Sequence, residues 1–268
     1  MNRPSSVTAG LAVTPSSTPA SSPVRGGYVR PGGPSQRSRP LLRKYEMTAL
    51  DASGSLTDLS RLAPATLPFE DGFAALARGA LIATPDGPRA VEDILPGDVI
   101  TTCVTGPQVV QWVGAMMMLP ATSDTQSSQR TLTRIAADSL GFNRPMPDLV
   151  LGPAARLLHQ SPAFRNMYGS AACLAPASGL VDGDAILDIR PASPIKLFQL
   201  MVPAHDTMLV NGVEVETHHP GPLIESQLSR DMLSLYLSMF PGMSSIDDFG
   251  PMAHPRLSAD ELATVRAA

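Results

Sequence analysis

A mainly β fold with one or two C-terminal helices is the class this 268-residue sequence predicts, and three observations predict it. Between Leu81 and Thr102, short β-prone runs alternate with turns marked by Pro85-Asp86-Gly87-Pro88 and Pro96-Gly97-Asp98. Met208 to Val215 reads as a tight hairpin, because Asn211-Gly212 supplies the two φ > 0 residues that a type I′ turn demands. Beyond Gly221 the apolar period becomes helical, with Ile224, Leu228, Met232, Leu235 and Met239 along one face.

Taken in order, residues 1–70 predict a disordered tail. Ser- and Pro-rich stretches alternate with Gly26-Gly27 and Gly32-Gly33, and only Leu41 to Met47 suggests a short ordered piece. The tail is basic: Arg3, Arg25, Arg30, Arg37, Arg39, Arg43 and Lys44 meet no acid before Glu46. The compact β region spans 71–221. Within it, Trp112 is a core residue, Met116 to Gln129 a long loop and Thr131 to Ile135 a strand. Ala136 to Gly141 forms a helical turn, Ser161 to Gly169 an irregular exposed stretch, and Ala171 to Pro176 leads into a short helix ending near Gly179. Ile186–Ile189 and Ile195–Val202 are strands. Residues 222–268 form a helical extension, with an amphipathic helix over 223–240 and a last helix opened by the capping box Ser258…Glu261 and reaching Arg266.

Composition narrows the function classes. Hydrophobic residues at 43% suffice for a real core, and a net charge of −4 with dispersed basic residues predicts no nucleic-acid partner. No apolar run of membrane-spanning length occurs and no signal-peptide pattern opens the chain, so the location defaults to the cytoplasm with leaderless secretion left open. Cys103 and Cys173 make no disulfide framework. Neither a phosphate-binding Gly loop nor zinc-finger spacing is present, so no cofactor is expected.

Gly79, Ile82, Thr84, Gly87, Glu92, Asp93, Gly97 and Asp98 stand in the order Gly-x-x-Ile-x-Thr-x-x-Gly, then Glu-Asp and Gly-Asp. Downstream follow Gln108 to Gly114, Asp148 to Leu157, Leu200 to Asp206, and Asn211-Gly212 through Glu216 to Gly221. In order and spacing these blocks resemble the Hint (Hedgehog/intein) domain family, in its bacterial intein-like branch, over roughly residues 73 to 255. The resemblance implies a compact, pseudo-twofold β fold and an autoprocessing chemistry. In that chemistry a Cys or Ser attacks the carbonyl just before it while a His activates the amide. The family's Cys falls on Ala75, its Ser on Gly152 and one His on Ala155; a second His is retained as His205. A methyl group neither attacks nor transfers a proton, so the resemblance points to a catalytically degenerate domain serving as a structural or protein-binding module. Its partner and oligomeric state are left unnamed. The alternative is self-cleavage by a displaced nucleophile.

A third reading comes from the hairpin. Val210 opposes Val213, and counting outward pairs His205 with His218. Alternation places His205, Thr207, Glu214, Glu216 and His218 on one face and Met208, Val210, Val213 and Val215 on the core face. His205, Glu216 and His218 are thus candidate metal ligands. The bland counterpart is a polar face turned to solvent.

Overall fold

The computed structural model describes residues 41–51, 53–120 and 131–267. The tail expected before residue 41 and most of the loop expected over 116–129 lie outside the described residues. Strands and a helical turn occupy residues 42–70, which corrects the expected tail boundary. β1 (Leu42–Leu50) and β2 (Leu56–Pro64) form a hairpin, followed by a single turn of helix, α1 (Leu67–Glu70). The cause is a period of two: Tyr45, Met47 and Ala49 enter the core while Lys44, Glu46 and Thr48 stay on the open face. Asp51 closes the turn by accepting from the N–H groups of Ser53 (2.8 Å) and Ser55 (2.9 Å).

Next come β3 (Leu76–Ala77), β4 (Leu81–Ile82), β5 (Arg89–Ala90), β6 (Val99–Thr101) and β7 (Pro107–Val109). The acids between them are turn anchors. Glu92 accepts from Gly79 N–H at 2.8 Å and Arg78 Nε at 3.1 Å; Asp98 accepts from Leu95 N–H at 2.8 Å and pairs with Arg89 at 3.0 Å. β8 (Trp112–Met118) takes in residues expected to begin the long loop, because its backbone is paired on both sides to Met116 and on one side to Met118. β9 (Leu132–Ile135), β10 (Leu149–Leu151) and β11 (Arg156–Gln160) follow. The stretch expected to be irregular is instead helix α2 (Pro162–Tyr168). It is held by Phe164, fully buried and 5.7 Å from the His159 ring, and by the Tyr168 hydroxyl on Glu261 at 2.8 Å. β12 (Ala172–Pro176) runs into a 3-10 turn at Ala177–Leu180; β13 (Ile186–Ile189), β14 (Ile195–Met201), β15 (Thr207–Val210) and β16 (Val213–Glu216) complete the strands.

Among the described residues these strands make three antiparallel sheets. Their orders are β13-β9-β10-β3-β14-β8-β1-β2, β12-β11-β16-β15-β4-β5, and β6-β7. One apolar cluster contains Leu76, Ile82, Leu157, Leu200 and Val210, uniting residues of the two larger sheets. A second, aromatic cluster lies beneath the C-terminal helices. There Trp112 contacts Phe73 (5.2 Å) and Phe240 (4.7 Å) and donates its indole N–H to Met239 O at 2.9 Å. Full burial of each such ring contributes about 1.5–3 kcal/mol.

The helix expected over 223–240 breaks in two, α3 (Ile224–Gln227) and α4 (Arg230–Leu237). Leu228 turns extended (ψ 139°), and Ser229 caps the new start with its hydroxyl toward Met232 N–H. α5 (Ala259–Ala267) opens with the expected reciprocal box: Ser258 N–H on Glu261 at 2.7 Å and Glu261 N–H on Ser258 Oγ at 3.2 Å.

Candidate functional site

The peptide between Ala74 and Ala75 is fixed from both sides. Ala75 N–H donates to Phe198 O at 3.2 Å and Ala75 O accepts from Gly152 N–H at 2.7 Å. The carbonyl before it, Ala74 O, accepts from Ala154 N–H at 3.0 Å. Ala75 and Ala155 are each 1% exposed and share one apolar cluster. Gly152 permits the close approach: a Cβ there would sit 2.1 Å from Ala74 O and 2.7 Å from its carbon. The three positions to which the resemblance assigns Cys, Ser and His are therefore brought together, but as hydrocarbon and backbone.

His205 belongs to a polar cluster. Its Nδ1 accepts from Ala253 N–H at 2.9 Å, which leaves the ring proton on Nε2, and Nε2 donates to Glu216 Oε1 at 3.0 Å. Arg256 Nε donates to the same oxygen at 2.8 Å, and Arg156 lies 3.8 Å from the other. Burial alone would raise the Glu216 carboxyl. The Arg256 charge and the His205 hydrogen bond outweigh it and hold the group below its ordinary range.

The hairpin register is as counted, with Val210 opposite Val213 and Thr207 opposite Glu216. Asn211 (φ 50°) and Gly212 (φ 83°) supply the turn. The polar face does not look onto solvent, however: Thr207, Glu216 and His205 are buried, and the segment around Ala253 and Arg256 covers the latter two. The expected ligand set also comes apart. The neighbour of His205 is His219, at 5.1 Å between rings, while His218 stacks on Phe240 at 4.8 Å and packs on Trp112 at 5.5 Å. Aromatic packing draws His218 out of the hairpin face. Among the described residues no three His, Cys, Asp or Glu side chains converge to hold a metal. Burial, aided by the Arg256 charge and the neighbouring imidazoles, holds His218 well below the usual histidine range. His219 donates to Gly250 O at 3.0 Å and accepts from Gly221 N–H at 2.9 Å; burial lowers its pKa against the opposing Gly250 bond.

The thiols stand elsewhere. Cys103 is a surface residue whose sulfur is partly shielded; that shielding and the Glu214 carboxylate push its pKa up to about 11, against a Thr207 hydrogen bond. Cys173 is buried in β12, and burial raises it too.

Two residues that the sequence reading did not single out complete the region. Arg256 also donates to His219 O at 2.7 Å; its separation from the hairpin by forty residues gives no local pattern to find it by. Asp206, fully buried, accepts from Val104 N–H (2.9 Å), Thr105 N–H (2.8 Å), Thr105 Oγ1 (2.7 Å) and Thr207 N–H (2.7 Å). Burial would raise this carboxyl, and those bonds hold it low instead.

Residues 74–222 match the family model described as the Hint domain, which covers more than half of the chain. The chain belongs to the Hint domain family. The matched span begins at the Ala74–Ala75 peptide and ends just beyond His219, so the β1–β2 hairpin and the C-terminal helices lie outside it. Among solved structures, the chain is similar to the bacterial intein-like domain from Clostridium thermocellum, at 16% identity and a TM-score of 0.37, covering 55% of this chain and 99% of that one. It is also similar to the MchDnaB-1 intein, at 16% identity and 0.34, covering 54% and 100%. The gp41-1 intein is similar at 15% and 0.32, covering 54% and 98%. No curated protein matches. Among the described residues, no helix of this Hint protein is long and apolar enough to cross a membrane.

Proposed function

We propose that this Hint domain is catalytically degenerate and serves as a structural or protein-binding module. The observation that carries the reading is the environment of the Ala74–Ala75 peptide. Where the family resemblance calls for a nucleophile and an amide-activating imidazole, two buried methyl groups lie in one apolar cluster. His205 is retained, but both of its ring nitrogens are engaged, one by Ala253 and one by Glu216. A displaced nucleophile finds no support either: the Cys103 thiol is held protonated at neutral pH, and Cys173 is buried in the core.

The test is the mass of the purified protein. Incubated with dithiothreitol or hydroxylamine, the chain remains whole at 28.2 kDa, because no thioester or ester forms. Release of a fragment ending at Ala74 refutes the reading.

A further inference from the structure

The eight-stranded sheet ends at β2, and among the described residues nothing pairs with its outer side. This edge is nine residues long and carries no proline before its last residue, Pro64. Natural edges of that length are usually shortened, bulged or covered. Which groups face outward follows from the ladder. Asp51 N–H bonds Ser55 O at one end and Ala65 N–H bonds Leu41 O at the other. Bonded pairs recur every second residue in an antiparallel ladder, so the odd-numbered residues of β2 are spent on β1. The N–H and C=O groups of Leu56, Asp58, Ser60 and Leu62 therefore point to the free edge. Their side chains share the open face, with Leu56 53% and Leu62 67% exposed.

The edge is complementary to itself. Turned about a twofold axis beside β2 at the level of Leu59, perpendicular to the sheet, a second β2 runs antiparallel to the first. Leu56 then meets Leu62 of the second copy and Asp58 meets Ser60, each as a doubly hydrogen-bonded pair. A two-residue shift places Leu62 against Asp58 instead, and a one-residue shift puts opposed side chains on different faces. Thr48 Oγ1, at 2.7 Å, draws the Asp58 carboxylate back toward β1 and away from the second copy. We infer that two copies of this chain associate through β2 in this register, joining their eight-stranded sheets into one. The inference does not depend on whether the Ala74–Ala75 peptide is inert; the mass measurement addresses that question, and oligomeric state addresses this one.

Sedimentation of the full chain at micromolar concentration tests it, with a species of twice 28.2 kDa as the expected result. Ser60→Pro removes an N–H that β1 does not use, so the monomer keeps its bonds while the dimer loses two. Leu62→Glu leaves the backbone alone, finds Lys44 as its cross-strand neighbour in the monomer and sets a charge against Leu56 of the second copy. Each variant weakens association about tenfold or more with an unchanged far-UV spectrum. In a Cys103→Ser background, Leu56→Cys mixed with Leu62→Cys forms a disulfide with diamide, since bonded cross-strand Cα atoms lie about 5.5 Å apart; either variant alone does not. A wild-type monomer overturns the inference, whether or not it captures an added strand-forming peptide. So does a dimer that survives both β2 variants, or crosslinking only between like positions.

Discussion

Two regions of the Hint span differ in what their side chains offer. At the Ala74–Ala75 peptide the surroundings are apolar and backbone: Ala75 and Ala155 are buried methyls, and the Ala74 carbonyl rests against Gly152. At the β15–β16 hairpin the side chains are polar and bonded to one another. His205, Glu216 and Arg256 bond one another or the backbone, and residues 253–256, outside the family match, supply the closing contacts. The first region is stabilised as core, the second as a buried ionic cluster. Substitutions in them therefore fail for opposite reasons, steric in the first and electrostatic in the second.

The largest effect belongs to the ionic cluster. Arg256→Ala leaves the buried Glu216 carboxylate with His205 and the more distant Arg156, and removing one partner of a buried pair costs about 3–5 kcal/mol. Denaturant titration reads this as a lowered midpoint. If the loss is electrostatic, Glu216→Gln in the Arg256→Ala background recovers part of it. An equal or greater loss in the double variant assigns the effect to packing and removes the distinction between the two regions.

The peptide region gives the next effect. Gly152→Ser introduces the residue type that the sequence resemblance assigns there, yet its Cβ meets Ala74 O at 2.1 Å and backbone must move. Overpacking of this kind costs about 1–3 kcal/mol, read as a lower melting temperature. A neutral Gly152→Ser variant shows that the carbonyl is free to shift, and the contrast then weakens.

The sequence showed these regions unequally. The hairpin register was legible because Asn211-Gly212 permits one tight turn, and the Gly79-to-Asp98 block because its acids anchor turns through contacts close in sequence. The β1–β2 hairpin was obscured by the basic Ser- and Pro-rich stretch before it, although Tyr45, Met47 and Ala49 alternate as a half-buried strand should. The break at Leu228-Ser229 was hidden because apolar spacing continues through it; only the serine, a strong N-cap, marked the new start. The departure of His218 toward Phe240 and the arrival of Arg256 on Glu216 depend on chain segments far apart in sequence, which no periodicity encodes.

A smaller effect separates the imidazoles from the carboxylate. His218 binds its proton less tightly when folded, so below its ordinary 6.5 the unfolded chain takes up more protons. Stability is then full above that pH and falls as pH drops, by up to about 1.4 kcal/mol per pH unit for one group. His159 and His219 shift in the same direction and add to the slope. Glu216 is lowered from 4.5, so its contribution is lost only at more acid pH, as pH falls through its folded value. Between these limits the histidines set the slope. His218→Phe keeps the stack on Phe240 and flattens the curve; the lost 3.4 Å contact to Tyr236 moves only the baseline at neutral pH. An unchanged slope shows that His218 titrates much as it does unfolded.

The smallest expected effect is none. Ala75→Cys places a thiol where the sequence resemblance puts the nucleophile, one residue before β3 and beside Phe198 and Gly152. Attack on the Ala74 carbonyl needs the thiolate, and a thiol surrounded by the apolar cluster is held protonated. Expulsion of the Ala75 amine needs a proton donor, and Ala155 provides a methyl group. Ala154 N–H polarises the Ala74 oxygen from 3.0 Å, but a single backbone donor replaces neither requirement. The variant therefore stays at full mass in hydroxylamine. Adding Ala155→His tests the second requirement at the expense of overpacking a site that is 1% exposed. Cleavage by Ala75→Cys alone would show that the fold retains enough activation without the imidazole, and the two regions would then differ in one missing atom rather than in how each was closed.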